Sequence, residues 1–279
     1  MESVIYYFSA TGNSLRIANI MAERMDGLLH PMSRYKGTKC SSRQIGLVFP
    51  TYFWGVPRTV AEFVDEMKVE ADNPYVFAAA TCGGLAGGVL GHLDALLKKK
   101  GLHLDYGITI PSVANFIEEY NPKTHSADRK LREADEMAER ASAEVIAARR
   151  NGPFGFHVWD RMFYKLYTDY KLNRDTGFHV DDTCIRCGIC QRICPSRNIV
   201  LKNEKPDTKN EYFLNEKPEF QHRCEHCVAC INCCPQQAIQ WKHATQKRVR
   251  YRNPGVSVHD IIEGMGSARD SFISKDRDI

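Results

Sequence analysis

The 279 residues are 43% hydrophobic and 26% charged, with a formal net charge of +4. That balance suits a globular chain of about two domains and excludes a disordered tail protein or a collagen-like fibre. No uncharged apolar run approaches the ~18 residues of a membrane span, no basic and apolar leader opens the chain, and no stretch is basic enough to call for nucleic acid; a cytoplasmic chain with no membrane span and no nucleic-acid partner is expected.

The first 110 residues alternate strand and helix signals. Val4 to Phe8 is a continuous β-branched and aromatic run, followed by Ser9-Ala10-Thr11-Gly12-Asn13-Ser14 and a helical stretch over 14–26. A second strand, Gln44 to Phe49, leads through Pro50-Thr51-Tyr52-Phe53-Trp54-Gly55-Val56-Pro57 to a helix over 57–68. A third, Tyr75 to Ala80, leads through Thr81-Cys82-Gly83-Gly84-Leu85-Ala86-Gly87-Gly88 to a helix over 88–100. The fourth runs from Leu102 to Ile110. Short, nearly continuous apolar runs suit strands buried on both faces of a parallel sheet. Repeated strand–helix units then predict an open sheet with helices on both sides. In such sheets ligands bind beyond the carboxyl ends of the strands, where the three loops fall. Backbone N–H groups at a helix N-terminus, with short hydroxyl side chains around them, can cradle a phosphate. The glycine pattern of dinucleotide folds and the Walker lysine pattern are both missing.

Residues 124–150, rich in Ala, Glu and Arg without Gly or Pro, predict a long helix that Asn151-Gly152-Pro153 breaks. Seven aromatics follow in 154–170, and Trp159, Phe163, Tyr167 and Tyr170 share one helical face. That face either packs two domains together or shields a redox cofactor from water.

Cysteine is the outlier. Nine of the 11 lie between Cys184 and Cys234, in two copies of one pattern. Cys184, Cys187, Cys190 and Cys194 are followed by Pro195; Cys224, Cys227, Cys230 and Cys234 are followed by Pro235. Each copy reads C-x2-C-x2-C-x3-C-P, the run of bacterial two-cluster ferredoxins. Thiolates are soft anionic ligands, and two-residue gaps let a loop set three of them around a metal–sulfur core. Paired C-x2-C motifs also suit zinc, but four cysteines within 11 residues with a trailing proline do not match zinc spacings. Cys233 is an extra thiol, read as buried beneath a cluster, and the 29 residues between Cys194 and Cys224 leave room for a polar hairpin over 203–219. His222 and His226 flank ligand positions without being needed as ligands.

The cysteine run resembles the two-cluster ferredoxins, and the first loop resembles the phosphate loop of the flavodoxins. Together with the tail Arg248-Val249-Arg250-Tyr251-Arg252-Asn253-Pro254, they make nearly the whole chain similar to fused flavodoxin–ferredoxin electron carriers of anaerobic microbes. The resemblance implies a flavodoxin-like doubly wound parallel α/β sheet, then a small α+β two-[4Fe-4S] ferredoxin-like domain. It implies FMN held by Ser9, Thr11, Gly12, Asn13 and Ser14 at its phosphate. Around the ring it implies Pro50, Thr51, Tyr52, Phe53, Trp54 and Gly55, and Thr81, Cys82, Gly83, Gly84, Gly87 and Gly88. A plainer reading makes one of the aromatics core, the glycines turn formers and Cys82 a packed thiol. The resemblance also implies crossed ligation, with the fourth cysteine of each run serving the other cluster. One cluster then takes Cys184, Cys187, Cys190 and Cys234, the other Cys224, Cys227, Cys230 and Cys194. The expected division is 1–150 for FMN, 151–178 as an aromatic helical linker, 179–245 for two [4Fe-4S] clusters, and 246–279 as a basic tail with a short helix. With its cofactors bound, the charge would fall from +4 to about −2. The implied activity is electron transfer to a redox partner protein or small-molecule acceptor. An FMN-dependent reductase of a small organic substrate, and a metal-binding protein without flavin, are the alternatives. No catalytic acid, base or nucleophile stands out.

Overall fold

The computed structural model describes residues 3–35, 37–122, 124–202 and 216–265. Most of the expected 203–219 hairpin, and residues 266–279 of the tail, lie outside them.

Five parallel strands form the central sheet: β1 (Ser3–Tyr7), β2 (Leu28–Pro31), β3 (Gln44–Pro50), β4 (Tyr75–Cys82) and β5 (Tyr106–Pro111). Their order across the sheet is 2-1-3-4-5, the flavodoxin-like doubly wound arrangement. The apolar runs fold as strands because both faces are covered: Ile5, Leu47, Phe49, Phe77 and Ala79 have essentially no exposure. Parallel neighbours need crossover connections, and the helices around the sheet fall into two packed pairs. Helix α1 (Asn13–Met25) packs against α4 (Ala127–Ile146), and α2 (Arg58–Glu66) against α3 (Val89–Lys98). The strand expected from Leu102 begins only at Tyr106, because Asp94 caps the backbone N–H of Leu104 at 2.9 Å and holds that segment out of the ladder.

The cysteine-rich half is a duplicated unit. Each cysteine loop runs into a short helix, α6 (Ile189–Arg192) or α7 (Ala229–Cys233), and then a proline turn. Strand β6 (Phe178–Val180) pairs antiparallel with β9 (Ile239–Trp241), and β7 (Ile199–Val200) with β8 (Glu219–Phe220). The repeat is visible in the backbone. Left-handed residues recur 40 positions apart: Arg186 and His226, Gly188 and Val228, Arg197 and Gln237. Glycine serves at one helix entry, whereas β-branched Val228 is forced to φ 57° at the other.

Helix α5 (Val158–Lys171) joins the halves, but not by the face its aromatics suggested. Trp159, Phe163 and Tyr170 are exposed, and only Tyr167 of the four turns inward. Polar partners captured the opposite side instead. Tyr164 donates its hydroxyl to the Val56 carbonyl at 2.9 Å, Thr168 is buried, and Lys171 lies between Glu118 and Glu119. The tail packs against the body, with α8 (Val258–Met265) beside β2.

Candidate redox site

A cavity of about 550 Å³ opens at the carboxyl edge of the sheet. All three expected loops line it: Ser9, Thr11, Asn13 and Ser14; Pro50 to Trp54; Thr81 to Leu85. A fourth segment, Ser112 to Phe116 after β5, completes that edge. It carries neither glycine nor an aromatic cluster, so only its position after a strand could have marked it. Helix α1 starts from left-handed Gly12 (φ 93°), with no side-chain cap and no acid in its first turn. Its first N–H groups therefore remain available to an anion. The hydroxyls around them are positioned, not loose. Ser9 Oγ accepts the Gly12 N–H at 3.2 Å, and the Ser14 and Thr81 hydroxyls meet at 2.8 Å. Two lining atoms are buried without a partner: Thr51 Oγ1 and His226 Nε2. Such orphans are costly unless a ligand satisfies them.

The aromatic wall is built by a strained turn. Tyr52 and Gly55 exchange backbone hydrogen bonds at 3.1 and 2.9 Å, and Phe53 and Trp54 between them both take positive φ, 52° and 61°. Asn and Gly usually occupy such positions, and strain of this kind concentrates at ligand sites. Phe53 packs on Tyr167 (4.8 Å between centroids) and edge-on against Phe116 (6.0 Å); Trp54 meets Tyr167 edge-on at 5.7 Å. Tyr52 lies deeper, edge-on to Phe8, and burial pushes its phenol well up. Cys82 lines the cavity as a thiol raised by burial.

Four expected contacts fall outside the cavity wall. A side chain on Gly12 would meet Asn253 and Val256; on Gly55, Tyr164; on Gly87, Trp54; on Gly88, Asp160 and Phe156. These glycines permit close approach of protein to protein. Sequence reasoning missed the reason for Gly12: the tail clamps this loop. Asn253 N donates to the Thr11 carbonyl at 2.8 Å, and Asn13 Oδ1 accepts from the Tyr251 hydroxyl at 2.7 Å and from Asn253 Nδ2 at 3.1 Å. Tyr251 N in turn donates to Asn232 Oδ1 on α7, whose Nδ2 donates to the Val228 carbonyl. The phosphate-type loop and a cysteine loop are thus joined by a buried chain of hydrogen bonds. The basic residues of the tail also bind inward. Arg248 donates to the Ile117 carbonyl at 2.7 Å, and Arg250 to Gln240 Oε1 at 2.8 Å.

The eight motif cysteines gather four and four. Cys184, Cys187, Cys190 and Cys234 line one small cavity; Cys194, Cys224, Cys227 and Cys230 line another. The fourth cysteine of each run has crossed to the other nest. Burial, reinforced by the neighbouring sulfurs, pushes the Cys190 thiol up to about 12, and burial raises Cys227 and Cys230 well above the ordinary thiol value. Only a cationic centre would make so many sulfurs ionise together. Equivalent N–H···S bonds serve both copies: Arg186 to Cys184 (3.4 Å) and His226 to Cys224 (3.2 Å), then Asn198 to Cys194 (3.2 Å) and Ala238 to Cys234 (3.3 Å). Cys233 is buried in the main core, outside both nests, its thiol raised to about 12.

The nests differ in where they look. Between Cys184 and Cys187, Ile185 and Arg186 are exposed. Between Cys224 and Cys227, both residues bolt the loop to the first domain. Glu225 accepts the Thr59 N–H at 3.0 Å and the Thr59 hydroxyl at 2.6 Å, capping α2; burial still raises its carboxyl. His226 Nδ1 pairs with buried Glu118 at 2.8 Å. His222, by contrast, bonds Asp175 at 2.5 Å with its ring largely exposed.

Residues 183–239 match the 4Fe-4S dicluster domain family. The chain joins a flavodoxin-like fold to a 4Fe-4S dicluster domain. The matched residues contain all eight cysteines of the two nests. Among solved structures, a provisionally described flavoprotein from Bacteroides uniformis ATCC 8492 is 20% identical, covering 39% of this chain and 90% of its own, at a TM-score of 0.32. Trp repressor binding protein from Bacillus subtilis is 12% identical, with 50% and 96% covered, at 0.34. A flavodoxin from the domain Archaea is 12% identical, with 52% and 99% covered, at 0.31. The strand order, not these likenesses, identifies the fold. No curated protein matches the chain. Among the described residues, no helix is long and apolar enough to cross a membrane.

Proposed function

We propose that the chain is an electron carrier that binds FMN in the large cavity and a [4Fe-4S] cluster in each cysteine nest, passing electrons between them and on to a redox partner. The observation that carries this reading is a shared wall: Cys227 and Val228 line both the large cavity and the second nest. The free N–H groups of α1, the hydroxyls of Ser9, Thr11 and Ser14, and the unpartnered Thr51 Oγ1 suit a flavin phosphate and ring in that cavity. Eight thiols gathered four and four suit two cubane clusters. When bound, clusters exchange single electrons and the flavin one or two.

The chain's own residues supply position and insulation. Glu225, His226, Tyr251 and Asn232 fix the second nest against the cavity. Phe53, Trp54, Phe116 and Tyr167 keep water from the ring site. The four N–H···S bonds stabilise thiolates and raise potential. Cys190 and Cys230 pack against one apolar cluster around Ile231 and Ile239, and the Cys184–Cys187 loop offers the exposed exit toward a partner. The aromatic wall supports the carrier reading over a reductase with its own small substrate. Anaerobic quantification of iron, acid-labile sulfide and flavin tests it: about eight irons, eight sulfides and one FMN per chain are expected, and zinc in place of iron, or no flavin, overturns it.

A further inference from the structure

Helix α5 is apolar on the wrong side for a molecule that works alone. Asp160, Tyr164, Thr168 and Lys171 share the side turned to the body, while Val158, Trp159, Met162, Phe163, Leu166 and Tyr170 are exposed. At about 100° per residue, those six fall within an arc of roughly 140°. Val158 is 76% exposed, Trp159 68% and Leu166 66%. Together they present on the order of 700 Å². That exceeds the roughly 300–600 Å² of the largest patch on a typical monomer and approaches the ~800 Å² that each partner brings to a standard interface. The patch continues to the cavity mouth. Trp54 touches Tyr167, and Leu85 is 84% exposed on the loop whose Gly88 abuts Asp160 of α5.

We propose that this face binds the same face of a second copy of the chain, the two α5 helices lying antiparallel across a two-fold axis. A two-fold interface needs a self-complementary surface, and the sequence of α5 supplies one in a single register. Centred near residues 164–165, that register sets Val158 and Trp159 against the second copy's Tyr170, and Met162 and Phe163 against its Leu166. With the centre at residue 165, Arg161 faces the second copy's Asp169, an opposite charge just inside the edge of the stripe. The flank opposes a lipid surface, because Arg161 and Lys165 share it with Asp169, which pairs with Lys165 at 2.7 Å, whereas surface-lying helices carry a basic polar face. In the pair, each copy covers the other's cavity mouth at Trp54 and Leu85.

Light scattering and sedimentation equilibrium of the cofactor-loaded chain at micromolar concentration test this. The expected mass is twice 31.8 kDa. Leu166→Glu should give a monomer with unchanged iron content. Arg161→Asp should weaken the dimer at least tenfold, and Arg161→Asp combined with Asp169→Arg should restore it; this pair decides the matter if Leu166→Glu fails to fold. A wild-type monomer overturns the proposal, as does a dimer that survives Leu166→Glu with full iron. Sedimentation of a monomer with phosphatidylserine vesicles, or no rescue by the double charge swap, also overturns it.

Discussion

His92 makes the scaffold of the cavity mouth sensitive to acid. Its Nδ1 accepts the Val56 N–H at 3.2 Å, its ring stacks on Phe156 at 4.6 Å, and Tyr164 crosses it edge-on at 4.6 Å. One neutral imidazole thus pins the loop after β3 to α5 and to the segment before it. Burial, with smaller contributions from Lys99 and Arg161, lowers its pKa from 6.5 to about 4. A depressed pKa means that the stabilisation is complete above the unfolded value and is lost as pH falls through the folded one. The chemistry agrees: once protonated, Nδ1 is a donor and cannot accept from Val56. Linkage with these two pKa values gives a loss of about 2 kcal/mol between pH 7 and pH 5. Denaturant unfolding of the cofactor-loaded chain under argon, at both pH values, measures it. His92→Gln keeps an acceptor for Val56 but has no proton to gain, and the difference between the two chains cancels every other titrating group. Wild type should lose about 2 kcal/mol more than His92→Gln. Parallel losses in the two chains would refute the reasoning.

Tyr251→Phe removes the hydroxyl that holds Asn13 and should weaken FMN binding about fivefold, the equivalent of one buried hydrogen bond of about 1 kcal/mol. Fluorescence titration reads that loss, and an unchanged affinity would separate the tail clamp from flavin retention. Cys190→Ala and Cys230→Ala should each halve the iron content, since the two sulfurs belong to different nests; full iron in either would break the ligand assignment. Thr59→Val leaves one Glu225 oxygen unpaired in a buried site and should cost about 1–3 kcal/mol, seen by anaerobic calorimetry as a drop of about 2–4 °C per kcal/mol. Gly46→Val would drive its Cβ into the Phe77 ring, and should cost about 1–3 kcal/mol by overpacking, with a matching fall in the denaturation midpoint.

What could be read in the sequence was what local pattern dictates. β1, β3 and β4 are continuous apolar runs because both sheet faces are covered, and the C-x2-C-x2-C-x3-C-P spacing carries its own geometry. β2 escaped notice because it is a four-residue edge strand, half exposed and ending in Pro31. The α5 face was misjudged for a different reason. Periodicity reveals that one side of a helix is apolar, but only tertiary partners decide which side turns inward, and here Tyr164 and Lys171 found polar partners on Val56 and Glu118 while Thr168 is buried between them. Gly12, Gly55, Gly87 and Gly88 show the same limit: a glycine signals close approach without saying to what. The roles of Glu225 and His226 were hidden because their partners, Thr59 and Glu118, lie more than 100 residues away.

The central claim is that the flavin and the clusters exchange electrons through one chain. Anaerobic flash photoreduction of the flavin measures that directly. Decay of the reduced flavin signal should coincide with bleaching of the cluster absorbance, at a rate independent of protein concentration. A rate that rises with concentration, or a reduced flavin that persists beside oxidised clusters, would contradict it.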